Sequence, residues 1–122
     1  MHEDLLFLFE MGNLTAKVRS EIDHHTARRM RSEIDERLYR LRPSSLILDF
    51  SEVRFMDSSG IGLILGRCDA AADIGITVRL VGLSSSLMRL VRLSGIERVR
   101  NLSVSPRWAE ARPRAVEEEW MQ

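Results

Sequence analysis

The pattern that most constrains the fold is one amphipathic stretch that lies between two short apolar runs. Its apolar residues recur at spacings of three and four, and arginine and acidic residues fill the positions between them. This spacing predicts a helix with one buried face, which begins after Asp23 as the N-cap and ends before Pro43. The apolar positions are Ala27, Met30, Ile34, Leu38 and Leu41.

Short runs on either side of this helix have the character of strands. Leu14–Ser20 alternates with a period of two, which is typical of a half-buried strand. Leu46–Phe50 is apolar on successive residues, which predicts a central strand covered on both faces. Strand, helix and strand then form a βαβ unit with a right-handed crossover. Leu5–Phe9, which precedes a turn at Gly12-Asn13, predicts a further strand that pairs with the next as a hairpin.

The rest of the chain repeats the order of helix and strand. A second helix is expected from Asp57 to Gly75, then a strand at Thr77–Gly82, a third helix capped by Ser84-Ser85-Ser86 and a short edge strand within Ile96–Leu102. The expected buried residues of the second helix are Ile61, Ile64, Leu65, Cys68 and Ala72. The order β-β-α-β-α-β-α predicts an α/β domain with a mostly parallel, mixed sheet of four to five strands covered by helices. We expect this domain to span residues 1–102, and residues 103–122 to form a C-terminal extension that is a short helix or disordered.

Composition narrows the classes of function. The 122 residues carry 18 basic and 18 acidic side chains, so no global positive charge draws in nucleic acid. The single cysteine, Cys68, cannot support an internal disulfide or a multi-cysteine metal site, and its spacing places it in the core. Leu5–Phe9 is too short for a membrane span and lacks the basic flank of a signal segment. We therefore expect a cytoplasmic protein, monomeric because no long apolar surface stripe is apparent.

The segment Asp57–Gly66 carries most of the functional information. It joins a predicted buried strand to a helix, and in open α/β sheets the functional site lies at such a turn. Gly60, Gly62 and Gly66 each cost about 1 kcal/mol relative to alanine inside a helix. Either close packing on the sheet or the close approach of a partner must therefore require bare backbone there. The segment lacks the lysine of a nucleotide-binding phosphate loop.

Two interpretations of the serines at this turn remain open from the residues alone. Ser58 and Ser59 can cap the helix, or one of them can present an exposed hydroxyl. A small serine hydrolase or nucleotide-binding enzyme would use Ser58 with His24 or His25 as the base. The surrounding sequence is not the Gly-x-Ser-x-Gly of a nucleophile turn, and adjacent histidines point to different sides of a helix, which disfavours a catalytic or metal-binding pair.

Three motifs, in order, resemble the anti-sigma factor antagonists of the STAS-domain family, and most closely those of its sporulation branch. They are Asp23-His24-His25-Thr26-Ala27, then Phe55-Met56-Asp57-Ser58-Ser59-Gly60-Ile61-Gly62 with Leu65-Gly66-Arg67, and finally Ser94-Gly95-Ile96. The resemblance runs from about Leu14 to Val99. Ser20 departs from the glycine that is common in the family.

The resemblance implies a switch module that catalyses nothing itself. Its phosphoacceptor is the first serine of Asp-Ser-Ser-Gly, which is Ser58 here. The unphosphorylated protein binds an anti-sigma factor that is also a serine kinase, and so releases a sigma factor. Phosphorylation dissociates the complex, and a serine phosphatase resets it. ATP and magnesium belong to the kinase, so we expect no cofactor or metal in this chain, and no direct contact with nucleic acid or a membrane.

The same resemblance predicts the surface that meets the partner. It comprises Glu21, Asp23, His24, Asp57, Ser58, Ser59, Gly60 and Ile61, with Glu21 and Asp23 facing arginines of the anti-sigma factor. Asp23 can equally be no more than a helix cap. A module of the same fold in a general stress response remains the alternative to sporulation. Trp108 and Trp120 in the extension are expected to pack on the domain itself.

Overall fold

A mixed sheet of five strands organises the protein in a computed structural model that describes residues 4–107. The elements in chain order are β1 (Leu5–Glu10), β2 (Asn13–Val18), α1 (His24–Leu41), β3 (Ser45–Asp49), α2 (Ser58–Asp73), β4 (Thr77–Leu83), α3 (Ser85–Ser94), a 3₁₀ turn (Ile96–Arg98) and β5 (Leu102–Pro106). The strands lie side by side in sequence order; β1 runs antiparallel to β2, and the other pairs are parallel. The predicted α/β class and element order are confirmed.

The predicted hairpin is present, but its turn lies one residue earlier than expected. Met11 and Gly12 occupy its centre with φ of 53° and 80°, and Asn13 already belongs to β2, opposite Glu10. Two consecutive residues with positive φ match the right-handed twist of paired strands better than an ordinary turn does. The preference of glycine for this conformation identified the turn but not its first residue.

The core lies on one face of the sheet. Because β2 to β5 are parallel and follow one another in order, right-handed crossovers carry all three helices over the same face. Burial alternates accordingly: Leu46 and Leu48 of β3 are fully buried, whereas Ile47 between them is only half-buried. The prediction that β3 is covered on both faces is therefore wrong for the described residues.

Helix α1 forms as predicted, whereas the buried face of α2 differs. Met30, Ile34 and Leu38 line the inner side of α1, and Arg42 ends it in a left-handed conformation just before Pro43. In α2, Ile64 and Cys68 are buried as expected, but Leu65 and Ala72 are exposed and Ile61 is half-buried. Their predicted places are taken by Leu63, Arg67 and Ala71. Cys68 is 1% exposed, which confirms it as a core residue, and this burial raises the pKa of its thiol to about 11.

A buried ion pair joins α1 to α2 and explains this difference. Arg67 is only 4% exposed, and its Nε lies 2.7 Å from Asp35 Oδ1. Its Nη2 donates to Asp35 Oδ2 at 3.1 Å and its Nη1 to the Leu63 carbonyl at 3.4 Å. The Nε contact is an ion pair rather than a hydrogen bond, since neither atom has a hydrogen-bond partner. Burial lowers the pKa of Arg67, and the charge of Asp35 opposes that effect.

The edge strand lies further along the chain than predicted. Ile96–Arg98 forms a 3₁₀ turn, and the strand itself starts at Leu102. The side-chain amide of Asn101 donates to the carbonyls of Cys68 (3.0 Å) and Ile76 (3.3 Å), which anchors the chain where the strand begins. Residues 103–106, assigned by sequence to the extension, thus belong to the sheet. Trp108, Trp120 and the remainder of the predicted extension lie outside the described residues, so their arrangement stays a prediction.

Candidate functional site

The two loops that follow the neighbouring strands β2 and β3 run side by side at the carboxyl ends of these strands. The segment after β2 pairs with the segment after β3 through an isolated parallel bridge between Ile22 and Met56. Ile22 N donates to the Phe55 carbonyl at 3.1 Å, and Asp57 N donates to the Ile22 carbonyl at 3.2 Å. The bridge brings the starts of α1 and α2 together, as expected for the carboxyl ends of adjacent parallel strands.

Ser58 is the first residue of α2 and is exposed. Asp57 precedes it as the N-cap, and its Oδ1 accepts a hydrogen bond from Ser59 N at 2.7 Å. The Ser58 hydroxyl has no hydrogen bond to another of residues 4–107, so the cap role belongs to Asp57 and the hydroxyl faces solvent. The free N–H groups of the first helical turn favour additional negative charge at this position.

Asp23 caps α1 and still presents part of its carboxylate. Its Oδ1 accepts from the backbone N of His25 and of Thr26, each at 2.9 Å, and the Thr26 hydroxyl accepts from Asp23 N at 2.9 Å. The hydrogen bond from the Thr26 backbone is the main reason why the pKa of Asp23 lies below its usual value. These caps leave Oδ2 free, and Glu21 and His24 beside it are exposed. Capping and partner contact are therefore compatible at Asp23.

The three glycines of α2 have two different explanations. A Cβ on Gly60 would lie 2.5 Å from Met56 Sδ and 2.9 Å from Met56 Cβ, so internal packing requires this glycine. A Cβ on Gly62 or Gly66 would meet nothing within 4 Å. Both line an open groove of about 640 Å³ between α1 and α2, with Ser59 also on its wall. Packing within residues 4–107 thus accounts for Gly60 but not for Gly62 and Gly66.

Alanine at these positions should have opposite effects on stability. We expect Gly62→Ala to raise the free energy of unfolding by up to about 1 kcal/mol, because it gains helix propensity without a clash. Gly60→Ala should lower it by about 1 to 3 kcal/mol through overpacking against Met56. Urea denaturation of both variants measures the two changes. Equal destabilisation by both substitutions would contradict the difference between the two environments.

An exposed apolar side chain lies in the same loop as Ser58. Phe55 is 53% exposed, and Leu65 on the outer face of α2 is 37% exposed. Ile61, which was expected both in the buried stripe of α2 and on the partner surface, is half-buried one turn after Ser58. Large apolar groups in such positions are typical of a surface that binds another protein. Phe55 was expected only as part of the motif that contains Ser58, and not on the partner surface, because it falls in the connection between a predicted strand and α2.

The structure gives the enzymatic alternative no geometric support. His24 and His25 are exposed with their rings 5.9 Å apart, and neither forms a hydrogen bond with Ser58. A serine nucleophile needs a base within hydrogen-bond reach. Within residues 4–107, no group of three or more His, Cys, Asp or Glu side chains is arranged to hold a metal ion. In the same part of the chain, no helix has both the length and the apolar character needed to cross a bilayer.

Comparison with known proteins identifies relatives in sequence and in structure. The STAS domain profile matches residues 10–111. The anti-sigma F factor antagonist of Paenibacillus polymyxa is 32% identical over 88 residues, which cover 72% of this chain and 75% of that protein. The anti-sigma-B factor antagonist of Listeria monocytogenes is 30% identical over 80 residues, covering 65% of this chain and 68% of that protein.

Solved structures of an anti-sigma factor antagonist also superpose on this chain. The anti-sigma factor antagonist SpoIIAA in its unphosphorylated form superposes with a TM-score of 0.67 at 25% identity, covering 81% of this chain and 87% of that one. SpoIIAA of Bacillus in its phosphorylated form gives a TM-score of 0.61 at 26% identity, covering 90% of this chain and 99% of that one.

Proposed function

The chain belongs to the STAS domain family, and from this premise we propose that it is an anti-sigma factor antagonist controlled by phosphorylation of Ser58. In its unphosphorylated form it binds an anti-sigma factor that is also a serine kinase, and this releases a sigma factor in the cytoplasm. A serine phosphatase restores the binding form. The chain itself binds no ATP or magnesium in this mechanism, because both belong to the kinase.

One observation above all supports the proposal: the Ser58 hydroxyl is exposed at the start of α2 and forms no hydrogen bond with another of residues 4–107. Phosphoryl transfer depends mostly on positioning, and a kinase can reach this hydroxyl without unfolding the loop. The exposed Phe55 nearby, the exposed Glu21 and the Oδ2 atom that capping leaves at Asp23 supply apolar and charged contacts for the same partner. The known phosphorylated form of the related SpoIIAA agrees with such a switch.

A local charge is sufficient to operate this switch. A phosphate adds about −1.5 to −2 charge beside Asp57. The first turn of α2 tolerates that charge in the free protein, since unsatisfied N–H groups lie there. A partner packed on the same turn would have to desolvate the phosphate against its own surface. An unfavourable change of only about 2.7 kcal/mol weakens binding a hundredfold.

Of the two pathways, we propose sporulation rather than general stress response. The sequence motif Asp23-His24-His25 favours that branch, and the Paenibacillus relative is an antagonist of anti-sigma F. The Listeria relative is an antagonist of anti-sigma-B, which keeps the stress pathway as the second candidate. Binding assays against the anti-sigma factors of both pathways distinguish the two, because the preferred partner should bind more tightly.

The charge at Ser58 should decide whether the partner binds. We expect Ser58→Asp to weaken binding to the anti-sigma factor about a hundredfold, and Ser58→Ala to bind as the unmodified protein does. Ser85→Asp is a matched control, since Ser85 is likewise the exposed first residue of a helix, α3. Isothermal titration calorimetry measures all three affinities. Equal loss of binding in Ser58→Asp and Ser85→Asp would argue against a role specific to Ser58.

Mapping of the modified residue tests the phosphoacceptor directly. The purified protein is incubated with the anti-sigma kinase and ATP, and the product is digested for mass spectrometry. We expect one phosphate on Ser58 and none in the Ser58→Ala variant. Phosphate on Ser59 alone, or on no residue of this loop, would remove Ser58 from the mechanism.

A further inference from the structure

A basic surface lies at the carboxyl ends of β2, β3 and β5. Arg19 follows β2, Arg54 lies in the loop after β3, and Arg107 follows β5. Together with Ser51 and Glu52 they line a depression of about 440 Å³. We call Arg19, Arg54 and Arg107 the arginine cluster.

The charges of this cluster are only partly neutralised within residues 4–107. Glu52 Oε2 lies 3.3 Å from Lys17 Nζ, and its Oε1 lies 3.4 Å from Arg19 Nε. The bond from Lys17 is the main reason why the pKa of Glu52 lies below its usual value. Arg107 donates to the uncharged Ser51 carbonyl, and Arg54 has no ion-pair partner in this part of the chain. Among residues 4–107, Glu52 is therefore the one carboxylate within ion-pair distance of any of these four cations, so they outnumber their paired anions.

The cluster lies within the reach of any partner that covers Ser58. Arg54 precedes Ser58 by four residues, so even an extended chain separates them by no more than about 14 Å. A protein interface of ordinary size buries about 800 Å² on each side, which is a patch roughly 30 Å across. The Ile22–Met56 bridge fixes the two loops against each other, so Arg19 and Arg54 keep their places relative to the helix starts.

The two ends of these loops carry opposite charge. Glu21, Asp23 and Asp57 lie near the helix starts, whereas Arg19 and Arg54 precede them in the same two segments, with the exposed Phe55 next to Arg54. A partner that faces this surface in one orientation brings cations to the carboxylates and carboxylates to the arginines. The reversed orientation places like charges together, which costs several kcal/mol at an interface.

We propose that the arginine cluster is a docking point for an acidic segment of the anti-sigma factor and sets the orientation in which that partner covers Ser58. The inference rests on the proposed function. It adds the chemistry that the partner must present: acidic side chains opposite Arg19, Arg54 and Arg107, at the end of the interface away from α2. Charges at the rim of an interface act mainly on the rate of association and its dependence on salt.

The association rate tests the proposal. Arg19→Gln/Arg54→Gln is compared with the control Arg89→Gln/Arg92→Gln, which removes two exposed arginines of α3. All proteins carry Ser58→Ala, so phosphorylation does not enter. Stopped-flow measurements with the cognate anti-sigma factor, at low and at high salt, should show about tenfold slower association of the cluster variant at low salt and a smaller difference at high salt. The control variant should associate as the parent does.

Four results would overturn the inference. Association of the cluster variant at the parent rate, while Ser58→Asp still weakens binding about a hundredfold, would reject the docking point and leave the proposed function intact. If the α3 control slows association equally, the slowing is caused by the change in net charge and not by the arginine cluster. Binding of an RNA oligonucleotide that depends on the cluster, without an effect on the anti-sigma factor, would assign it to nucleic acid instead. If the parent binds no anti-sigma factor at all, the proposed function fails and this inference fails with it.

Discussion

Replacement of Asp35 by alanine is expected to lower the free energy of unfolding by about 3 kcal/mol. The substitution leaves the guanidinium of Arg67 almost fully buried and without its counter-charge. A remaining bond to the Leu63 carbonyl, at 3.4 Å, cannot replace the lost carboxylate. Thermal unfolding measures the effect, and the midpoint should fall by roughly 10 °C.

Two further variants separate the buried pair from a general effect on α1. Arg31 also lies near Asp35, but at 4.0 Å and largely exposed, so Arg31→Ala should change stability by less than about 0.5 kcal/mol. The double variant Asp35→Ala/Arg67→Met removes both charges and should recover much of the stability lost in Asp35→Ala. A double variant no more stable than Asp35→Ala would show that packing around Asp35, not its charge, is what matters.

Gly82→Ala should destabilise the protein by about 3 kcal/mol. Gly82 has φ of 80°, a conformation that costs an alanine about 1 to 2 kcal/mol. Its Cβ would also lie 2.9 Å from the backbone N and 3.0 Å from the Cα of Ser51, and backbone cannot move aside as a side-chain end can. The close approach joins β4 to the loop after β3, which carries both Arg54 and Ser58.

Gly75 provides the control for this substitution. It has nearly the same φ, 75°, but a Cβ there would meet nothing within 4 Å. Gly75→Ala should therefore show only the conformational cost of about 1 to 2 kcal/mol. Urea denaturation of both variants isolates the steric part as the difference between them. If the two substitutions cost the same, the contact with Ser51 does not limit the side chain at position 82.

The parts of the fold that depend on neighbours in sequence could be predicted. Helix α1 has its cap, its apolar spacing and its stop signal within one continuous stretch, and all three are as expected. The burial of Arg67 could not be foreseen, because it depends on Asp35 in another helix. The one-sided cover of β3 likewise depends on where every crossover lies relative to the sheet, which no window of sequence contains.

In the candidate site, too, some residues could be predicted from the sequence and others could not. Asp57 and Ser58 could be placed because a strand, a cap and a helix follow one another directly there. The arginine cluster was missed, since Arg19, Arg54 and Arg107 are far apart in the chain and only the parallel order of β2 to β5 gathers them. The sequence singled out three glycines of α2, and the structure explains one of them. Gly60 packs on Met56, whereas nothing within the described residues explains Gly62 and Gly66.

The backbone bridge between Ile22 and Met56 has a consequence for recognition. Loops that must be ordered by a partner lose conformational entropy on binding, and this loss is subtracted from the affinity. Here the ordering is completed when the protein folds, because each loop holds the other through its main chain. The main chain around Ile22 and Met56 therefore needs no further ordering when a molecule binds there, and that part of the entropy loss is avoided.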